Sequence, residues 1–296
     1  MPAGPKVGTT HDRNGFVSGP KQLLYALPGV RQLEQSRAVE KLRYWYALHF
    51  ENRRSFTYTQ FYRLPTQYAA LTGPVLEFLG GGQRREPLRI VVVASSMGAE
   101  AYTIASLLKQ QHPALPFEIE AFDIDAAVIE IARSGAFDPD WVTRKEHVTD
   151  EFVKATFDRV DGLFVVKPDI ARHVRFAVGD ILDAEAVRRT APADVVYAQN
   201  MMCNMQRPMA RRAFANIGLL LAPRSALFVD GVDLDMRAKM TQSLGLEPLD
   251  WQVERIHEEA GQVRGPRYPW FATGLEPFEA GRRDRTRRYA TIFLRG

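Results

Sequence analysis

Apolar residues fall along this chain in two kinds of run. Ile90 to Val93 is unbroken and β-branched, and a strand of that kind has both faces covered, as in the middle of a parallel sheet. Phe117 to Phe122, Val174 to Val178, Val195 to Ala198 and Ala226 to Val229 read as further strands, and Pro208 to Leu221 reads as a helix between the last two. Strands alternating with helices predict an α/β fold with a mostly parallel sheet. Leu249 to Ile256 and Tyr289 to Leu294 are expected to complete the sheet as an antiparallel hairpin. Upstream, Val39, Leu42, Tyr46 and Phe50 recur at helical spacing, with Trp45 and His49 widening the stripe. That pattern predicts an amphipathic helix packed on the sheet domain.

The chemistry concentrates where the first strand ends. Ser95, Ser96 and Gly98 keep side chains short, so backbone can approach a ligand while the following helix offers its free N–H groups. Asp123, at the end of the second strand, stands where a carboxylate accepts hydrogen bonds from ribose hydroxyls in such folds. Only Gly98 of a G-x-G-x-x-G turn is present, which speaks against nicotinamide and flavin cofactors. S-adenosylmethionine carries no phosphate and tolerates a looser turn. Glu100, at the start of the helix, suits its positive charge.

These residues resemble the chemotaxis-type protein-glutamate methyltransferases, the CheR family. Gly98, Glu100, Tyr102, Ile104 and Ala105 match its A-S-T-G-E-E-P-Y-S-I-A motif, with Ala99 and Ala101 departing. Asp123-Ile124-Asp125 and Ala132-Arg133-Ser134-Gly135 reproduce its D-I-D…A-R-S-G pair, and Thr59-Gln60-Phe61-Tyr62-Arg63 is similar to its T-x-F-F-R segment. Asp180-Ile181-Leu182 stands at its N-L-L, and Asn200 at the Asn of its R-N-V-x-I-Y-F strand end. The resemblance implies a class I methyltransferase, Rossmann-like, with a seven-stranded sheet and a short N-terminal helical extension. It implies S-adenosylmethionine as cofactor, held by Thr59, Arg63, Ala94, Gly98, Glu100, Asp123, Ile124, Asp180, Ile181 and Asn200. The family's arginine and tyrosine in R-N-V-x-I-Y-F are replaced by Gln199 and Asn204.

Methyl transfer from a sulfonium is an in-line displacement, so alignment supplies much of the acceleration. A carboxylate acceptor is ionised at neutral pH and needs no base. Arg63 is the candidate for steering it through two parallel hydrogen bonds, and Asn204 for orienting the acceptor in place of the tyrosine. Three readings follow. The first is a methyltransferase acting on a heteroatom, with carboxylate favoured, of a small or non-chemoreceptor acceptor. The second is a protein-glutamate O-methyltransferase of chemotaxis type, and the third a catalytically silent S-adenosylmethionine sensor.

Composition narrows the setting. With 296 residues, 46% of them hydrophobic, the chain can bury a large core. The expected organisation is a flexible tail over 1–20, a helical region over 21–80 ending at Gly80-Gly81-Gly82, and the methyltransferase domain over 81–296. An aromatic insertion near 262–285, containing Gly265 to Phe271, is a candidate cover for the cofactor mouth. No run is long enough to span a membrane and the first twenty residues lack a signal-peptide pattern, so a cytoplasmic protein is expected. The histidines lack ligand spacing and no metal is expected. Cys203 is the one cysteine, and a net charge of +4 does not call for nucleic acid. The basic run Arg282 to Arg288 is read as a solvated turn rather than a phosphate site.

Overall fold

A computed structural model describes residues 59–81, 84–264 and 276–296. The tail, the helix through Val39 to Phe50 and the insertion's Gly265 to Phe271 lie outside the described residues. The chain divides into two compact units, Met1–Tyr46 and Ala47–Gly296, and all the described residues belong to the second.

Its first strands are β1 (Leu88–Val93), β2 (Phe117–Asp123), β3 (Ala136–Phe137), β4 (Phe157–Val160) and β5 (Leu163–Val166). Then come β6 (Val174–Val178), β7 (Ala193–Gln199), β8 (Leu221–Asp230), β9 (Glu247–Pro248) and β10 (Ile292–Arg295). The α-helices of four or more residues begin with α1 (Pro65–Ala70), α2 (Ala99–Gln111), α3 (Ala126–Ser134), α4 (Pro139–Val142), α5 (Asp150–Thr156) and α6 (Pro168–Ala171). After them run α7 (Ala184–Thr190), α8 (Arg207–Leu220), α9 (Leu234–Ser243), α10 (Val253–Arg264) and α11 (Arg285–Tyr289).

The main sheet has seven strands in the order β6-β2-β1-β7-β8-β10-β9. Strands β6, β2, β1, β7 and β8 pair in parallel, while β10 runs antiparallel to both β8 and β9. Strand β1 is central because its side chains serve two cores. Ile90 and Val92 pack with Ile104 and Leu108 of α2, and Val91 and Val93 with Phe214 and Ile217 of α8. Each such apolar side chain contributes about 1.5–3 kcal/mol by leaving water. Phe61, Tyr68, Leu71 and Val75 join the first core, so the described part of the 21–80 region packs with the sheet.

The closing hairpin differs from expectation. Leu249 to Ile256 is not a strand: β9 spans only Glu247–Pro248, and α10 begins at Val253. Helical spacing wins there because Val253, Ile256, His257 and Ala260 form one buried stripe. Tyr289 likewise ends α11, and β10 covers Ile292–Arg295.

A second sheet, ordered β3-β5-β4, adds to the architecture that the apolar pattern predicts. Its hairpin turns on Asp161 and Gly162, both left-handed with φ of 49° and 82°, which is the conformation a D-G hairpin turn requires. That dipeptide is the signal available in the sequence. The sheet buries an aromatic cluster in which Phe61 meets Phe137 edge-on at 5.2 Å and Phe157 at 5.1 Å.

Candidate functional site

The carboxyl ends of β1, β2, β6, β7 and β8 converge, as expected where ligands bind in open α/β sheets. The turn after β1 is strained: Ala94, Ser96 and Gly98 all have left-handed φ, at 55°, 49° and 85°. Gly98 is required on two counts, since a Cβ there would also come within 2.7 Å of the Phe176 ring. Non-glycine residues at positive φ are stored strain that tends to gather at functional sites. Asn200, at the end of β7, is another, with φ 57°.

Asp123 locks this turn. One carboxylate oxygen accepts the Ser96 N–H at 2.8 Å and the other the Asp125 N–H at 3.0 Å. Asp125 itself caps α3 through the Ala127 N–H. Beside them the Gly179 N–H donates to the Asp123 carbonyl at 2.9 Å, joining the ends of β2 and β6. Asp180 accepts the Leu182 N–H at 2.8 Å, and Ile181 is buried with its carbonyl held by Asn216. Two apolar side chains stand open at this edge: Ile124 is 63% exposed and Val178 53% exposed. The apolar pattern marks Val178 only as a strand end, so its place in the site comes from the structure.

Glu100 lies in the first turn of α2, where the helix dipole favours a negative charge. Burial nevertheless pushes its carboxyl up to about 7, Arg63 opposing the rise and Asp230 adding to it. Burial raises the Tyr68 and Tyr197 hydroxyls well above their usual value; the Glu100 charge adds to the rise at Tyr68, and Tyr68 and then Glu100 add to it at Tyr197. The residues just before Arg63 are fixed: Phe61 is set in the aromatic cluster and the Tyr62 N–H donates to Thr103 on α2 at 3.1 Å. Thr59 is buried, and its carbonyl accepts from Arg144 at 2.6 Å.

At the end of β7 the chain turns through Met202–Asn204. Asn204 donates to the Asn200 carbonyl at 3.3 Å, as does the Cys203 thiol. Gly231 packs so closely on Asn200 that a Cβ would lie 2.6 Å from its Cα. Gln199 donates to Gln67 at 2.5 Å, and Gln67 to Thr291 at 2.6 Å, a buried amide chain where the family carries an arginine. Asp230, 1% exposed, is a buried carboxylate at the end of β8 that no motif in the sequence singles out. Three arginines of the basic run are held in ion pairs: Arg282 pairs with Asp284, Arg287 with Glu247, and Arg288 with both Asp235 and Glu276.

A five-stranded parallel sheet extended by an antiparallel strand inserted before the last, with a carboxylate at the end of β2 and a glycine turn after β1, defines a class I S-adenosylmethionine-dependent methyltransferase. A sequence profile of the family described as CheR methyltransferase, SAM binding domain, matches residues 57–250. The chain belongs to that family, and its cofactor is S-adenosylmethionine. It is 28% identical over 234 residues to the probable biofilm formation methyltransferase WspC of Pseudomonas aeruginosa, covering 77% of this chain and 53% of that one. It is 27% identical over 175 residues to chemotaxis protein methyltransferase 2 of Vibrio cholerae, covering 58% and 60% respectively. The chain therefore spans about half the length of the curated relatives it matches. Among solved structures, the plantazolicin methyltransferase BpumL with S-adenosylhomocysteine aligns at 11% identity and TM-score 0.34, over 79% of this chain and 63% of that one. No helix among the described residues is long and apolar enough to cross a membrane.

Proposed function

We propose that the protein transfers the methyl group of S-adenosylmethionine to a carboxylate, forming a methyl ester. The reading is supported by the opposite charges of Arg63 and Glu100, which act on each other: we assign the carboxylate to the cationic cofactor and the guanidinium to an anionic acceptor. When bound, the cofactor supplies an electrophilic methyl that passes in line to the acceptor oxygen, leaving S-adenosylhomocysteine. Everything else asked of the chain is holding and aligning.

The residues fit that cofactor. Asp123 uses one backbone hydrogen bond on each oxygen and keeps acceptor capacity for ribose hydroxyls. Ile124 and Val178 offer an open apolar platform for the adenine, beside Asp180 and Ile181. Ala94 and Gly98 admit the backbone approach, and ionised Glu100 takes the ammonium of the methionyl tail. Arg63 and Asn200 border the transferred methyl, and Asn204 orients the acceptor. Thr59, at the head of the same segment as Arg63, is assigned to the cofactor as well.

For the acceptor, the chemotaxis and biofilm names of the relatives support a glutamate side chain on a protein. Gln199 and Asn204, standing where the family has arginine and tyrosine, favour an acceptor other than a chemoreceptor, a small molecule included. Labelled methyl from the cofactor separates these readings. Base-labile counts on a protein mean a glutamyl ester; counts in the small-molecule fraction mean a small acid. Intact cofactor binding with no transfer to any acceptor leaves the sensor reading.

Arg63→Met should lower kcat/KM by about 10- to 100-fold, the range expected for a hydrogen bond to a charged group, with cofactor affinity affected less. Equal activity of parent and variant would remove Arg63 from acceptor binding.

A further inference from the structure

Asn200 follows β7 in the left-handed region, with φ 57°, a conformation that persists only where its surroundings fix it. Its main chain is held on both sides. The N–H donates to the Asp230 carbonyl at 3.0 Å, and the carbonyl accepts the Cys203 thiol and the Asn204 amide at 3.3 Å each. The residue before it is held from an element remote in sequence: Gln199 Nε2 donates to Gln67 Oε1 on α1 at 2.5 Å, and Gln67 Nε2 donates to the Thr291 hydroxyl at 2.6 Å. All three residues are buried. Both anchors of this amide chain are themselves fixed. Helix α1 is tied to α10 by the Thr66 N–H, which donates to Glu259 at 3.0 Å, and the Thr291 carbonyl accepts the Val229 N–H of β8 at 2.8 Å. Gln199 Oε1 has no hydrogen-bond partner among the described residues. A buried acceptor left in that state costs about 1–3 kcal/mol, which an apolar pair of the same shape does not, so packing alone does not account for two amides here.

We propose that Gln67 is a positioning residue of the cofactor site: through Gln199 it fixes the end of β7, and with it the left-handed turn that presents Asn200 to the cofactor. The inference rests on Asn200 contacting the cofactor. Gln67 touches no reacting atom and acts through Gln199, the chain neighbour of Asn200. The hold comes from α1, so the placing of Asn200 depends on how α1 sits against β7.

The test is S-adenosylhomocysteine affinity, measured by calorimetry well below the melting temperature of each variant. Gln67→Leu should weaken binding about tenfold, the loss expected for one hydrogen bond. Asn200→Gly keeps a residue at ease in the left-handed region and removes the side chain that Gln67 serves. Asn200→Gly should itself bind more weakly than the parent, and adding Gln67→Leu to it should cost less than about threefold further, because coupled residues are not additive. A role in stability alone would not depend on the side chain at position 200. An equal loss from Gln67→Leu in both backgrounds, or no loss in the parent background, would overturn the proposal while leaving the Asn200 reading intact. Parent-like affinity in Asn200→Gly would remove that reading and the proposal with it. If Gln67→Leu does not fold, the apolar pair Gln67→Leu with Gln199→Leu, which leaves neither amide unpaired, takes its place in the same comparison with the same outcomes.

Discussion

At the scale of single residues, Glu100 sets function against stability. Its folded-state value of about 7 lies above the ordinary 4.5, so its contribution to stability is complete below pH 4.5 and is lost as pH rises through 7. The cofactor role proposed for Glu100 needs the opposite state, the carboxylate present above 7. Glu100→Gln should therefore melt higher than the parent at pH 8 in the absence of ligand, while binding S-adenosylhomocysteine more weakly; thermal melts and titrations of the two proteins check both halves. A variant that is less stable at pH 8 would contradict the buried-charge account. Gly98→Ala puts a methyl group against the Phe176 ring in a left-handed conformation, and should cost about 1–3 kcal/mol in chemical denaturation. Asp123 and Gly98 are legible in the sequence because a turn that admits a ligand restricts residue type. Asp230, Val178 and Tyr197 are not, since their significance comes from strands brought side by side by pairing far along the chain. The ribose role assigned to Asp123 from its position gains a second one, locking the Ser96 turn, which no spacing rule carries.

At the scale of elements, the segment before α1 is held by two anchors. Phe61 is packed among Phe137, Trp141 and Phe157 of the small sheet region. Glu259 of α10 accepts the Thr66 N–H at 3.0 Å and the Thr66 hydroxyl at the start of α1. Phe61→Leu should lower catalytic efficiency beyond its stability cost, because it loosens Arg63; activity measured well below the melting temperature separates the two effects. An unchanged kcat/KM in that variant would detach the small sheet from the site. The strands of the parallel sheet are legible because both-face burial demands continuous apolar residues. The small sheet is not, because β3 has only two residues and β4 and β5 four each, too short for periodicity, leaving Asp161-Gly162 as their signature. The segment from Leu249 reads as a strand because eight residues with Trp, Val and Ile satisfy strand composition. Only the buried stripe through Ala260 reveals the helix.

At the scale of the molecule, fold and cofactor follow from one topology, while acceptor chemistry depends on a few side chains grafted onto it. A ligand that binds only the folded state stabilises it by about 2.7 kcal/mol at one hundred times Kd. For a chain of this size that is a rise of roughly 5–11 °C in melting temperature, and it should disappear in Asp123→Ala. Three arginines of the C-terminal run are committed to carboxylates: Arg282 to Asp284, Arg287 to Glu247, and Arg288 to Asp235 and Glu276.

The most direct test of the central claim is a crystal structure with S-adenosylhomocysteine bound. The account predicts adenine against Ile124 and Val178, ribose hydroxyls on Asp123 and the methionyl ammonium on Glu100, with Arg63 facing the sulfur side. Ligand density elsewhere, or at these strand ends with Glu100 and Arg63 untouched, would contradict it.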